Sequence, residues 1–250
     1  MKGGTISAKK DGRMSGQLEG RRIVITGVSR GVGFETAKLF LREGARVLGV
    51  ARDASRLSSA AEVLSSLGDF AALQADVCDG AARHRVVDAV RGRWGALDVL
   101  FNNAAILVNV GEPQSFEDEP EGTFARTMET NFVAPHRLSM ALLPLLREGH
   151  EPRLVHVGSG AGTFDGLHED GLASYRLSKW AIHGLTMLSS KQWAGEIAVN
   201  AFDPGWVKTD MGGPNAPGSP VESAAGALAV VTLPHHVTGK FWKDGREIPF

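Results

Sequence analysis

Tyr175 and Lys179 stand at i and i+4, the spacing that puts two side chains on one face of a helix. A free phenol titrates near 10, too high for ready proton exchange at neutral pH, and a cation held beside it favours the phenolate. Such a pair can exchange a proton with a substrate oxygen. Upstream, the candidate strand 153–157 ends just before Gly158-Ser159-Gly160, so a hydroxyl emerges at a strand end. A third feature is Thr26-Gly27-Val28-Ser29-Arg30-Gly31-Val32-Gly33, which follows the β-branched run 23–25 and precedes a helical pattern opening at Phe34. A tight strand-to-helix turn needs residues without a Cβ, and a pyrophosphate reaches a helix N-terminus only where no side chain intervenes.

These groups need a scaffold that delivers them to one place. From Arg22 onward short β-branched runs alternate with helical patterns, the signature of βαβ units around a parallel sheet. Strands are expected at 23–25, 46–50, 70–73, 98–101, 153–157 and 198–202, with a seventh at 240–242. Apolar residues spaced by three and four mark crossover helices at 34–42, 55–67, 81–93, 123–146 and 173–193. The fold class expected is α/β, a doubly wound, mostly parallel sheet of about seven strands flanked by helices, which binds ligands beyond the carboxyl ends of its strands. The glycine loop, Ser159 and the Tyr175 helix all follow predicted strands and so share that rim. The Gly- and Pro-rich stretch 212–220 reads as a loop, since another helical pattern follows it.

Composition narrows the partners. The 250 residues, 43% hydrophobic, suffice for one α/β domain with a sizeable core and fall short of two. Residues 1–17 mix Gly, Lys and Ser without an apolar stretch and read as a disordered tail, leaving 18–250 as the domain. Lys plus Arg number 27 against 28 Asp plus Glu, so the positive excess that nucleic acid or an anionic membrane requires is missing. A small-molecule ligand is expected instead. The longest apolar runs, such as 224–233, are shorter than the roughly 18 residues of a membrane span. Cys78 is the single cysteine, which rules out an internal disulfide, fits a reducing cytoplasm, and reads as a small, partly buried hydrophobe. The eight histidines, among them His84, His136, His183 and the pair His235-His236, match no His-Glu-x-x-His frame and read as surface or packing residues, so no metal is expected.

The spacing Thr-Gly-x-x-x-Gly-x-Gly, with Tyr-x-x-x-Lys and an upstream serine, resembles the classical short-chain dehydrogenases/reductases over roughly residues 18–244, and the aromatic ending from Phe241 resembles their carbonyl-reductase-like members. That resemblance implies a Rossmann fold and a nicotinamide cofactor cradled by Gly27, Ser29, Arg30, Gly31, Val32 and Gly33. Asp76 and Val77 resemble the pair at the adenine edge. Asn103, Ala104 and Ala105 resemble the Asn-Asn-Ala-Gly turn, with Ala105 in place of glycine. The added methyl is tolerated at an ordinary backbone angle and costly at positive φ. Pro204, Gly205, Val207 and Thr209 resemble the turn that meets the carboxamide end of nicotinamide, and Tyr175 and Lys179 belong to cofactor binding as well as to catalysis. Arg52 follows the second strand where NAD-specific relatives place an acid; with Arg30 it implies a 2′-phosphate and hence NADP. Asp53, close to the distance of a ribose-binding acid, keeps NAD in play.

The resemblance also supplies a catalytic tetrad of Asn131, Ser159, Tyr175 and Lys179. The implied reaction is hydride transfer from the dihydronicotinamide to a carbonyl carbon, with Tyr175 protonating the oxygen, Ser159 donating a second hydrogen bond, Lys179 binding the ribose, and Asn131 holding a water in the proton relay. The interval 163–171 is an insertion relative to the family pattern. Leu107, Val108, Phe164, Leu167, Trp206 and Met211 are candidates for an apolar substrate pocket, which points to a ketone or aldehyde. Other chemistries fail on residues: Val157 and Ala161 break the Gly-x-Ser-x-Gly elbow of a serine hydrolase, and Phe34-Glu35-Thr36 replaces the Lys-Ser or Lys-Thr of a phosphate-binding loop. Two rivals stay open, the same enzyme oxidising an alcohol and a non-catalytic NADP sensor on the same fold. Self-association as a dimer or tetramer is compatible with the sequence.

Overall fold

The computed structural model describes residues 16–108 and 115–250. Of the expected tail, residues 1–15 lie outside the described residues, and Gln17 donates its backbone N–H to the Glu43 carboxylate. Strand β1 (Arg22–Thr26) leads through the glycine loop into α1 (Gly31–Arg42). The alternation continues with β2 (Arg46–Ala51), α2 (Ala54–Ser65), β3 (Phe70–Gln74), α3 (Gly80–Trp94) and β4 (Val99–Asn102). A helical rod follows, made of α4 (Thr123–Met128), a π turn (Glu129–Val133) and α5 (Ala134–Arg147). Then come β5 (Arg153–Val157), α6 (Ala173–Gln192), β6 (Ala198–Asp203), α7 (Pro220–Val231), β7 (Phe241–Lys243) and β8 (Arg246–Ile248).

The sheet runs β3-β2-β1-β4-β5-β6-β7-β8 and is parallel except for the last pair. Strand order reverses between β1 and β4, which opens a crevice at their carboxyl ends. The central strands are buried on both faces, as their β-branched composition requires. Ile23 and Ile25 enter one core layer with Phe40 of α1, Phe101 of β4, Phe202 of β6 and Ala227 of α7. Val24 enters the other, with Val86 of α3 and Leu138 and Leu142 of α5. Each such burial stabilises by about 1.5–3 kcal/mol, so the sheet is gripped from both sides and its rim becomes a fixed platform.

Two features depart from the sequence expectation. The helix expected over 123–146 carries a π turn at its centre. Pro135 has no N–H to offer the carbonyl of Asn131 four residues earlier, and the widened turn absorbs that loss while carrying Asn131 inward to 2% exposure. The sheet also gains an eighth strand: β8 folds back on β7 through Asp244 and Gly245, at φ 50 and 73, the left-handed pair that a two-residue hairpin needs.

Candidate active site

The glycine loop is built for close approach. Gly27 leaves β1 at φ +74, and a Cβ there would lie 2.8 Å from Asn103 Nδ2. At Gly33 a Cβ would lie 2.3 Å from the Gly27 carbonyl oxygen. Both positions require glycine, and the N-terminal turn of α1 presents bare backbone to the crevice, where the helix dipole favours an anion. Buried Thr26 ties this loop to the next one, its hydroxyl accepting the N–H groups of Asn103 at 3.0 Å and Ala104 at 2.9 Å. Asn103 returns a bond from Nδ2 to the Thr26 carbonyl at 2.7 Å. Among the described residues, positive φ outside glycine occurs at Glu151, Leu172 and Asp244, so Ala105 carries its methyl at an ordinary backbone angle.

A cleft of about 1030 Å³ follows the rim. Gly27, Ser29, Arg30, Gly31, Val32, Gly33, Arg52, Asp76, Val77, Asn103, Ala104, Ala105, Pro204, Gly205, Val207 and Thr209 all line it, and so do Ser159, Tyr175 and Lys179. Asn131 stands behind the wall. Leu107, Trp206 and Met211 face the cleft, and Val108 faces a small side cavity. Phe164 and Leu167 lie outside both linings; Phe164 is exposed and packs edge-on against His168.

At one end of the cleft three arginines gather. Burial draws Arg30 below the ordinary guanidinium value, and the nearby charges of Arg56 and Arg52 add to the fall. Arg30 and Arg56 are partly offset by Asp210 from the loop after β6, in contact with Arg30 and 3.7 Å from Arg56. Asp53, the residue that kept NAD in play, is committed elsewhere: it is the N-cap of α2, and its carboxylate accepts the Arg56 N–H at 2.9 Å. A cluster of guanidinium groups with the nearby acid already used suits a 2′-phosphate better than a bare ribose hydroxyl.

At the other end lies the proton-handling group. The Lys179 ammonium sits 5.5 Å from the centre of the Tyr175 ring and donates to the Val157 carbonyl at 2.8 Å. Burial pulls Lys179 down to about 8, with Asp203 acting in the opposite sense. Tyr175 departs from the sequence expectation of a lowered value: burial pushes the phenol up to about 12, Asp203 adds to the rise, and hydrogen bonding with Ser159 opposes it. Desolvation dominates because burial strips the phenolate of hydration that the bond with Ser159 only partly replaces. Asn131 is fully engaged through its side chain, accepting the Ile106 N–H at 2.8 Å and donating to the Ile106 carbonyl at 2.8 Å and to Ser178 Oγ at 3.0 Å. It fixes the chain just beyond Ala105.

Several functional neighbours escape the sequence reading. Asp203, at the end of β6, accepts the N–H of Gly160 at 3.1 Å and of Gly205 at 2.8 Å, and so locks the Ser159 turn to the Pro204 turn. Its place before Pro-Gly is visible in the sequence, but its reach across to β5 is not. His183 is wholly buried and packs against Phe241 and Phe250, as a packing residue should, and it also touches Gly162 and Ser159. Cys78 is partly buried, with its sulfur 3.6 Å from Thr130 Oγ1. Among the described residues no group of three or more His, Cys, Asp or Glu is placed to hold a metal ion, and no helix is long and apolar enough to cross a membrane.

Comparison with known proteins agrees with this geometry. Residues 21–219 match the family described as short chain dehydrogenase. The chain is 32% identical over 195 residues to a 3-oxoacyl-(acyl-carrier-protein) reductase of Vibrio cholerae, covering 78% of this chain and 76% of the relative. It is 30% identical over 264 residues to carbonyl reductase (NADPH) 1 of Sus scrofa, covering 88% and 89%. The crystal structure of NADPH-bound carbonyl reductase from chicken fatty liver superposes with a TM-score of 0.85 at 26% identity, over 93% of this chain and 100% of that one.

Proposed function

Because this chain belongs to the short-chain dehydrogenase family, we propose that it is an NADP(H)-dependent oxidoreductase that reduces a ketone or aldehyde, with Tyr175 as the proton donor. The observation that carries this reading is one cleft with Ser159, Tyr175 and Lys179 at one end and Arg30, Arg52 and Arg56 at the other. The residues fit the cofactor: Gly27 and Gly33, where a Cβ has no room, would cradle its pyrophosphate, the arginines would hold its 2′-phosphate, and the Pro204 to Thr209 turn would hold its nicotinamide end. NADPH-bound carbonyl reductase, at a TM-score of 0.85, supports the same choice. When bound, the reduced nicotinamide supplies a hydride to the carbonyl carbon.

The chain's own residues do the rest. Tyr175 and Ser159 direct hydroxyl donors at the substrate oxygen, where negative charge grows during the reaction, so their bonds strengthen in the transition state. Tyr175, raised to about 12 by burial, carries its proton at neutral pH and so stands as the acid that reduction needs. Lys179 places its charge beside the phenolate left when that proton departs. With the Asn131 side chain committed to Ile106 and Ser178, its part in the proton relay falls to its main chain.

The test is oxidation of NADPH and of NADH with a panel of ketones, aldehydes and quinones. Repeated turnover with NADPH preferred is the expected result. Tight NADPH binding with no cofactor consumed across the panel would overturn the reductase and favour the sensor.

A further inference from the structure

We propose that Arg176 is a positioning residue that locks the 163–171 segment in one conformation and thereby fixes Leu172 as the wall limiting substrate size beside Tyr175. This rests on the reductase reading of the same cleft. Arg176 follows the proton donor on α6, yet it is only 8% exposed and its bonds leave the helix. Its Nε donates to the Gly171 carbonyl at 2.7 Å, Nη1 to the Gly166 carbonyl at 2.6 Å and Nη2 to the Asp170 carbonyl at 3.1 Å; Nη2 also lies 3.1 Å from the Glu169 carboxylate. One planar fork thus fastens three carbonyls of a single segment, which the lone nitrogen of a lysine cannot span.

The segment is also held at its start. Thr163 Oγ1 donates to the Gly160 carbonyl at 2.8 Å and accepts the Gly166 N–H at 3.0 Å, so the segment is joined to the Ser159 turn. On the far side of Leu172, the Glu119 carboxylate accepts the Ser174 N–H at 2.9 Å and also its hydroxyl. Between these clamps Leu172 sits at φ 57, ψ 33, a left-handed conformation that a bulky residue keeps only where its surroundings over-determine it.

Leu172 lines the main cleft and also a side cavity of about 10 Å³, whose other walls include Leu107, Val108 and Thr127. Tyr175 and Leu107 border both spaces as well, so Leu172 shares with them the partition at the proton donor. The side cavity has room for no more than a water. Shortening Leu172 joins the two spaces and makes room for a bulkier group on the carbonyl carbon.

The experiment uses aryl ketones whose second carbonyl substituent grows from methyl to isopropyl to phenyl, with Leu172→Ala and Arg176→Lys compared with the wild type. Three readouts are taken: kcat and KM, binding of the same ketones to NADPH-loaded protein by cofactor fluorescence, and amide hydrogen exchange over 163–172. For Leu172→Ala the ratio of phenyl to methyl ketone in kcat/KM and in binding rises by about tenfold or more, the scale of a few methylenes in an apolar pocket. For Arg176→Lys the expected result is faster exchange confined to 163–172 and a raised KM with kcat little changed. An unchanged size ratio in Leu172→Ala, or exchange over 163–172 in Arg176→Lys as slow as in the wild type, overturns the proposal. If the wild type turns over no ketone, the reductase reading fails, and the binding ratio and exchange rates still decide the role of the clamp.

Discussion

Lowering the pH from 7 to 5 should weaken this fold by an amount that two buried histidines set. The His183 Nδ1 lies 2.9 Å from the Gly162 carbonyl, which can only accept, so Nδ1 carries the hydrogen and Nε2 accepts the Ser159 N–H at 3.4 Å. The neutral ring satisfies both contacts; a second proton would face an N–H donor inside the protein. Burial brings His183 down to about 4, and His156, wholly buried within β5, down to about 3. In the unfolded chain both take up a proton near pH 6.5, whereas the folded protein refuses it until pH 4 or below. Their contribution is therefore complete above pH 6.5 and is lost as the pH falls. Each histidine removes about 1.4 kcal/mol per pH unit in that window, or ~2 kcal/mol by pH 5 and ~4 kcal/mol for the pair. Asp98, whose burial is outweighed by its bonds to Arg22, titrates below 3.8 and stays out of the window. Urea unfolding at the two pH values, followed by tryptophan fluorescence, should show the midpoint falling with an unchanged slope. In His183→Gln the loss between the two pH values should shrink to about half, since one of two equal contributors is gone. A flat wild-type profile, or a variant that loses as much as the wild type, would refute the assignment of both histidines as neutral structural ties.

Arg52→Ala should weaken NADPH binding by about 10–100-fold and leave NADH binding unchanged in fluorescence titration, the size of one charge-assisted bond to the 2′-phosphate. Thr26→Val leaves the half-buried Asn103 and Ala104 N–H groups without their acceptor and should cost about 2–4 kcal/mol in chemical denaturation, with Thr26→Ser restoring most of it. Asn131→Ala removes the three bonds that hold Ile106 and Ser178, and kcat should fall by about 10–100-fold, on the scale of a disturbed proton relay, while NADPH still binds.

Much of this site is legible in the sequence because its signals are local. The glycine loop, the Ser159 turn and the Tyr175 to Lys179 pair each declare themselves within a few residues, and the βαβ pattern delivers them to one rim. Asp53 shows the limit of counting distance from a strand: its position suits a ribose acid, but as an N-cap its carboxylate is taken by Arg56. The ties between distant loops are not local and so stay hidden. Thr26 to Asn103, Asp203 to Gly160 and His183 to Ser159 each join separate crossings of the sheet. The raised phenol of Tyr175 belongs to the same class, because spacing reveals the neighbouring lysine but not the burial that sets the shift. The π turn and the β7–β8 hairpin were closer to reach, since Pro135 and the Asp244-Gly245 pair are visible as letters.

The most direct test is NADPH oxidation by Tyr175→Phe beside the wild type, with a ketone the wild type reduces. Loss of the phenolic proton alone should lower kcat by about 10²–10⁴-fold, the range for removal of a general acid, while NADPH still binds and the fold is retained. A kcat within about threefold of the wild type would lie below that range and contradict Tyr175 as the proton donor.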